Sequence, residues 1–429
     1  MLISQNYYIN NNNHNVNLVN QFKSKQSSSI TSNPNYSLND SKGCDTKNKQ
    51  IENLLINSNK YQGSPPGIYI KDSSIKTDPT KFLLYFQGGG WCYGDSPQET
   101  LKNCYERSQI GLGSSKLLAK QTFMNGIFSS NPTENPDFHD YTVVFLNYCD
   151  GSGFQGHLTQ ELEYNNSPIW FRGKQNVLTT LKYAKKTLQI NQAHTVIVAG
   201  SSAGGLAVYT WLDFIAEDLI KQNPNIQVIG LPDAGFFLNQ QSYLNGEYVY
   251  QTRMRNLLDI SNAEQGYINK KCQKDNSDNP WKCMFAQYLL NYIQTPLLIV
   301  NSSYDSWSIP NIGQINCIKN NNLNQCSQSE VNYITEYHNQ LYETVLALQH
   351  KYNNINAWVI SCIQYSLLQK SIFNNLSWTV PENTEDTISF TTQQLLQQIK
   401  LPISYVDKIP WPQNQSCSNE NLQIIQIKQ

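Results

Sequence analysis

Six short apolar segments, rich in β-branched and aromatic residues, most constrain the fold of this chain. Each segment is nearly continuous in apolar residues, which is typical of strands buried on both faces of a sheet. The six begin at Phe82, Thr142, Thr195, Ile226, Pro296 and Ala357. Between them, over 172–188 and 330–352, apolar residues recur at helical spacing. Strands that alternate with helices predict an α/β fold with a mostly parallel sheet and helices on both faces.

The rest of the chain adds a tail and two insertions to this pattern. Residues 1–60 are rich in Asn, Ser, Gln and Lys and have no apolar period. This composition predicts a low-complexity, disordered tail, and a single domain is expected to follow it over 61–429. The polar, cysteine-containing stretches 262–283 and 310–330 are interpreted as lid-like insertions.

The charge balance and hydropathy exclude two classes of protein. The chain has 31 Lys and Arg against 32 Asp and Glu, so its formal net charge is -1. Without a basic surplus, a nucleic-acid partner is not expected. No stretch approaches the ~18 apolar residues that cross a bilayer, so no membrane span is expected.

Ten cysteines point to disulfides rather than zinc, because none of them forms a CxxC pair. The close pairs Cys272/Cys283 and Cys317/Cys326 lie inside the two insertions and predict local bridges. Asn-x-Ser sequons at six positions also favour an exported glycoprotein. The first twenty residues contain no apolar signal-peptide region. The expectation is therefore an extracellular or secretory-pathway protein whose sequence shows no signal peptide.

The sequence Gly200-Ser201-Ser202-Ala203-Gly204 is a G-x-S-x-G motif between an apolar strand and a helical run. In that context a sharp turn exposes the central serine hydroxyl above the sheet, which predicts Ser202 as a nucleophile. The structural alternative is a glycine- and serine-rich turn that only allows close packing.

Three glycines follow the first of the six strands, in 82-FLLYFQGGGWCYGD. Such a loop offers backbone N–H groups to a ligand, and acyl transfer needs these donors, together with the N–H of Ala203, to hold an oxyanion. A phosphate-binding loop is the competing interpretation, but the GK[ST] sequence that it requires is absent. Asp305 also follows a buried strand, where a hydrolase places the carboxylate that orients its histidine. Taken alone, its position favours a loop or helix-capping residue.

At these residues the chain resembles the pectin acetylesterase/Notum family, over about residues 65–370. The similar blocks, in order, are QGGGWCYGD, GLGSS, NGIFSSNPTENPDFHDY, LNYCDGSGFQG, FRG, GSSAGG, PDAGFF and SSYDSWSI. The resemblance implies an α/β-hydrolase fold and the removal of ester-linked acyl groups from glycans or lipidated proteins. It implies no metal, nucleotide or other cofactor.

The resemblance also assigns roles to individual residues. It implies Ser202 as nucleophile and Asp305 as the triad acid. Gly88, Gly89 and Ala203 would donate to the oxyanion. It places Trp91 in the lining of the substrate pocket.

One position departs from the family pattern. The family histidine falls three residues after the cysteine of an S-C-x-x-H block, and here that position holds Tyr365. A phenol, with a reference pKa of ~10, does not collect a serine proton near neutrality as an imidazole does at ~6.5. Of the six histidines, His157 follows a strand and is the candidate for a replacement base or a substrate contact.

Two hypotheses from different classes follow. The first is a serine carboxylic-ester hydrolase acting on an acylated glycan or a lipid-modified protein. The alternative is a catalytically impaired protein that binds the same kind of ligand. Tyr365 is the residue that separates them.

Overall fold

A nine-stranded sheet forms the centre of the domain. The structure is a computed structural model that describes residues 52–55, 66–71 and 80–413, except 111, 116–117, 120–121, 123–124, 267, 320, 376–377, 381–385 and 399–400. The strands are β1 (Glu52–Leu55), β2 (Gly67–Lys71), β3 (Lys81–Phe86), β4 (Thr142–Leu146), β5 (Leu162–Tyr164), β6 (Ser167–Ile169), β7 (Thr195–Ser201), β8 (Gln227–Asp233), β9 (Leu297–Ser302), β10 (Ile355–Ile360) and β11 (Ser404–Val406).

The strand order is β1-β2-β4-β3-β7-β8-β9-β10-β11, and β5 and β6 form a separate hairpin. The β1–β2 and β2–β4 pairs are antiparallel, and every other pair in the large sheet is parallel. In register, Phe86 of β3 lies beside Gly200 of β7, and Ser201 lies beside Asp233 of β8. The carboxyl ends of β3, β7, β8, β9 and β10 therefore meet at one edge of the sheet, where ligands bind in open α/β folds.

Helices cover both faces of the sheet. They are α1 (Pro97–Ser108), α2 (Gly173–Thr187), α3 (Ala203–Ile220), α4 (Val249–Ser261), α5 (Ala263–Gly266), α6 (Lys270–Asp275), α7 (Ala286–Leu289), α8 (Ser308–Asn311), α9 (Gln328–Lys351) and α10 (Ile388–Leu396). Alternate residues of a strand point to opposite faces. Thus Phe82 and Leu84 pack with α2, α3 and α9 in one core, whereas Leu83 and Tyr85 pack with α10 in the other.

The predicted α/β-hydrolase-like fold is confirmed. All six apolar segments form strands, and the two helical patterns form α2 and α9. The first strand, β1, lies inside the predicted tail and pairs with β2, so the sheet begins before residue 60, where the sequence analysis placed the start of the domain. Residues 1–51 of that tail lie outside the described residues. No helix in the described part of the chain combines the length and the apolar character that a membrane span requires.

Both insertions carry the predicted disulfides, Cys272–Cys283 and Cys317–Cys326. The first insertion lies against the main core, in which Cys272 and Cys283 are buried. The second packs with the start of α9 in a small cluster of its own. A third bridge, Cys92–Cys104, joins the segment after β3 to α1.

Candidate active site

Ser202 lies at the sharp turn between β7 and α3. Its backbone has φ 62° and ψ -126°, a conformation that non-glycine residues rarely adopt and that functional turns retain. Glycines at 200 and 204 make this turn possible, because a Cβ at Gly204 would lie 2.1 Å from the Phe86 carbonyl oxygen. The Ser202 N–H donates to the carbonyl of Asp233 at 2.9 Å. This is the geometry of a nucleophile elbow, with the Ser202 side chain at the carboxyl edge of the sheet.

The preceding serine, Ser201, has a different environment. Its hydroxyl donates to the carboxylate of Asp233 and lies 2.5 Å from the hydroxyl of Tyr85. Ser201 is therefore engaged in the interior of the domain, and Ser202 is the serine whose side chain faces Tyr365.

The glycine-rich loop passes directly beside the elbow. A Cβ at Gly88 would lie 2.6 Å from the Ser201 carbonyl oxygen and 3.0 Å from Ser202 Cβ. Among the described residues, none accepts a hydrogen bond from the backbone N–H of Gly88, Gly89 or Ala203. Ala203 is the first residue of α3, so its N–H is one of the free donors of a helix N-terminus. This arrangement can stabilise negative charge on an acyl oxygen at Ser202.

Arg107 of α1 fixes the loop from the other side, a contact that the sequence analysis missed. Its Nη1 donates to the Gly89 carbonyl at 2.7 Å, and the guanidinium lies 4.6 Å from the centroid of the Tyr148 ring. The Cys92–Cys104 disulfide attaches the same helix to the end of the loop. Because the Gly89 carbonyl points to Arg107, the conformation of the loop is set by α1.

Tyr365 occupies the place where a triad histidine would contact the serine. Its hydroxyl donates a hydrogen bond to the hydroxyl oxygen of Ser202. Burial, and secondarily the nearby Asp305, raise the pKa of Tyr365 well above its ordinary value. The phenol therefore stays protonated at neutral pH and acts on Ser202 as a donor. A general base has to act as an acceptor.

Asp305 lies just past the end of β9 and is 1% exposed. Its Oδ1 accepts the N–H groups of Trp307 at 2.9 Å and Ser308 at 2.7 Å. Its Oδ2 is buried and has no hydrogen-bond partner within the described part of the chain. Burial raises the pKa of Asp305 to about 7, with its two backbone donors acting in the opposite direction. In a complete triad, the second N–H of the histidine would donate to such an oxygen.

Trp91 belongs to an aromatic cluster beside these residues. The Trp307 ring packs edge-on against Trp91 at 5.6 Å and lies nearly parallel to the Tyr365 ring at 6.5 Å. Other rings in contact with Trp91 are those of Tyr93, Phe237 and Tyr250. The cluster thus forms an apolar wall that continues from the loop to the ring of Tyr365.

His157 lies beside the end of α4, and its role as a replacement base or substrate contact stays a prediction. Its N–H donates to the Ser261 carbonyl at 2.9 Å, and its pKa is lowered by burial, with Lys174 and Lys270 as further causes. Its recorded hydrogen bonds and charged neighbours do not include Ser202, Asp305 or Tyr365. His157 follows β4 by eleven residues, and the intervening loop carries it to α4.

No group of three or more His, Cys, Asp or Glu side chains in the described part of the chain has the arrangement of a metal site.

The fold and the elbow define an α/β-hydrolase-like protein. The sequence profile of the pectinacetylesterase family matches residues 45–418, and the chain belongs to that family. It is 27% identical to pectin acetylesterase 5 of Arabidopsis thaliana over 84% of this chain and 81% of that protein. It is 27% identical to pectin acetylesterase 4 of the same plant, over 83% of each chain. The palmitoleoyl-protein carboxylesterase NOTUM of Schmidtea mediterranea is 25% identical over 72% of this chain and 56% of its own length.

Proposed function

We propose that this chain binds O-acyl esters at Ser202 and hydrolyses them far more slowly than a family member with a complete triad. The acyl group would be carried by a glycan or by a lipid-modified protein, the two kinds of substrate that the names of its relatives indicate. The observation that carries this proposal is the hydrogen bond from Tyr365 to Ser202.

The protonation state of Tyr365 determines the chemistry, because its pKa is raised well above the ordinary value by burial and the phenol keeps its proton. For Ser202 to attack an acyl carbon, its proton has to move to a base as the new C–O bond forms. The Tyr365 oxygen still carries its own proton, and the free oxygen of Asp305 lacks the imidazole that would connect it to the serine. Loss of one triad member lowers the rate by about 10⁴–10⁶-fold, while oxyanion donors and binding preserve about 10³–10⁴-fold over water.

The rest of the site fits the binding of an acyl ester. The N–H groups of Gly88, Gly89 and Ala203 have no acceptor among the described residues, so they are available to a carbonyl oxygen. Tyr93 and Trp307, which are partly exposed and pack against the buried Trp91, provide an apolar surface for the acyl group or for a sugar ring. The disulfides support folding in an oxidising compartment, as expected for an extracellular ligand.

A fluorophosphonate probe tests the state of Ser202 directly, because it labels activated serines. We expect slow labelling, which Ser202→Ala abolishes and Ser201→Ala does not. Turnover of p-nitrophenyl acetate and p-nitrophenyl octanoate should be close to that of Ser202→Ala. Binding of an acetylated oligogalacturonide or an octanoylated serine peptide should quench tryptophan fluorescence equally in both proteins.

Two results would contradict the proposal. Rapid labelling, with turnover that Ser202→Ala removes, would show an active hydrolase with another base. A fluorescence signal that responds to neither ligand would show that the pocket no longer binds acyl esters.

A further inference from the structure

Asp233, the last residue of β8, contacts the elbow through its backbone. It is fully buried, and its carbonyl accepts the Ser202 N–H at 2.9 Å. The same residue also lies in register with Ser201 of β7. Asp233 is therefore attached to the elbow at both serines.

The side chain of Asp233 contacts a different part of the site. The Leu367 N–H donates to its two oxygens at 2.9 and 3.0 Å, and the Leu368 N–H donates to Oδ2 at 3.2 Å. The Ser201 hydroxyl donates to the same oxygen. Leu367 lies two residues after Tyr365, so one carboxylate joins the elbow to the loop that carries the tyrosine.

A second connection runs in parallel. The Tyr85 hydroxyl, 2.5 Å from Ser201 Oγ, accepts a hydrogen bond from Gln369 Nε2 at 2.7 Å. The loop is thus held at three successive residues, 367–369, through side chains that also reach Ser201. None of the ion pairs found among the described residues involves Asp233. The charge of Lys370 acts on Asp233 without forming an ion pair with it. A buried carboxylate without a cation in contact is a poor source of stability, which points to a geometric role.

We propose that Asp233 is a positioning residue that sets the placement of residue 365 relative to Ser202. Its backbone carbonyl holds Ser202, and its carboxylate holds the 361–370 loop. The distance between the hydroxyls of Ser202 and Tyr365 therefore depends on the conformation of Asp233. This inference rests on the proposed function, in which Ser202 binds the acyl ester and residue 365 is the group in contact with it. A displacement of about 1 Å in such a pair changes the rate by about 10²-fold.

The first test does not depend on activity. Asp233→Ala removes the acceptors of Leu367 and Leu368, and we expect amide exchange in peptides from 361–370 to become at least about tenfold faster. Asp233→Asn keeps one acceptor oxygen and should give a smaller increase. Asp213→Asn is the matched control, because Asp213 accepts comparable hydrogen bonds from Gln294 and Thr295 at a distance from the site.

The second test uses Tyr365→His as the background, in which residue 365 can act as a base. We expect Asp233→Ala to lower kcat by about 10²-fold and to leave KM within about twofold, because binding is retained and alignment is lost. Asp233→Asn should recover part of kcat, whereas Asp213→Asn should leave kcat unchanged.

Unchanged exchange in 361–370 in folded Asp233→Ala would overturn the inference, as would an equal change in Asp213→Asn. If Asp233→Ala does not fold, Asp233→Asn and Ser201→Ala, which removes one donor, decide the question by the same exchange measurement. If Tyr365→His gains no activity, residue 365 does not explain the slow hydrolysis in the proposed function. The amide-exchange experiment still tests the role of Asp233 in that case.

Discussion

The hydroxyl of Tyr365 forms a hydrogen bond with the hydroxyl of Ser202, while the Oδ2 oxygen of Asp305 has no hydrogen-bond partner among the described residues. An imidazole has two ring nitrogens and bridges a serine and a carboxylate at the same time. A phenol has one oxygen, so it bridges two groups only where both lie within reach of that atom, and here the oxygen contacts Ser202. In the proposed function, the proton path from Ser202 to Asp305 is therefore interrupted at residue 365.

The first prediction is that Tyr365→His restores hydrolysis. The imidazole would accept the Ser202 proton and donate to Asp305 Oδ2, and we expect turnover of p-nitrophenyl acetate to rise by at least about 10²-fold. Tyr365→Phe is the control: it frees the serine hydroxyl without adding a base, so turnover should stay at the level of the parent protein. His157→Ala in the parent should have no effect. A folded Tyr365→His protein with parental turnover would show that more than this residue has changed.

The second prediction concerns stability and pH at Asp305. Burial raises its folded-state pKa from 3.8 to about 7, so the folded protein binds this proton more tightly than the unfolded chain does. The resulting stabilisation is full below pH ~4 and is lost as pH rises through ~7. Asp305→Asn removes the charge and keeps an acceptor for the N–H groups of Trp307 and Ser308.

We therefore expect Asp305→Asn to gain stability relative to the parent as pH rises from ~4 to ~8, by on the order of 1–4 kcal/mol. Urea unfolding at the two pH values measures this difference. A stability difference that does not change with pH would show that Asp305 ionises in the folded state as it does in water.

The third prediction concerns the contact between the glycine-rich loop and the elbow. Gly88→Ala places a methyl group 2.6 Å from the Ser201 carbonyl oxygen, so the loop or the elbow has to move. We expect a loss of about 1–3 kcal/mol of unfolding free energy and, in the Tyr365→His background, at least tenfold lower kcat.

Gly266→Ala provides the matched control for this clash. Its methyl group would lie 2.0 Å from the Gln155 carbonyl oxygen, beside His157 and without contact to Ser202. It should lower stability to a similar extent and leave kcat unchanged. An equal loss of kcat in both variants would show that the effect of Gly88→Ala is not local.

The fourth prediction concerns the cysteines. Cys149 is the free thiol of the described residues, and burial raises its pKa to about 11, so its alkylation by iodoacetamide at pH 8 should be slow until the protein unfolds. Cys92, Cys104 and Cys362, like the four insertion cysteines, are in disulfides. Peptide mapping without reduction should find these residues unmodified in the denatured protein. Alkylation of the insertion cysteines would contradict the structure.

The strands that sequence alone predicts are those buried on both faces. Nearly continuous apolar runs are visible in the local sequence of six strands, β3, β4, β7, β8, β9 and β10. β1, β2 and β11 lie towards the edges of the sheet, are short and include polar residues such as Lys71, so no comparable signal marks them. The insertion disulfides are predictable because their cysteines are close in sequence, 11 and 9 residues apart.

Local motifs single out Ser202 and the glycine-rich loop because their chemistry depends on consecutive residues. Arg107 and Asp233 carry no such motif, since their roles come from hydrogen bonds to residues 18 and 134 positions away. His157 is a harder case, because a position after a strand end does not determine where a long loop turns, and its hydrogen bonds connect it to α4 and the residue that follows it. The family pattern identified Tyr365 as the residue at the histidine position. Its hydrogen bond to Ser202 could be seen only in the folded structure, because the two residues are 163 positions apart.

The separation of 163 residues between Ser202 and Tyr365 also has a consequence during biosynthesis. At ~5–20 residues per second, the ribosome completes the elbow about 8–30 s before it adds the tyrosine. β9, Asp305 and β10 are added in turn during that interval, so a nascent chain that ends before β9 has neither the carboxylate nor the phenol beside its serine. The acyl-ester recognition proposed here would therefore be a property of the finished polypeptide, and premature termination before residue 361 would leave a fragment with an elbow and without Tyr365.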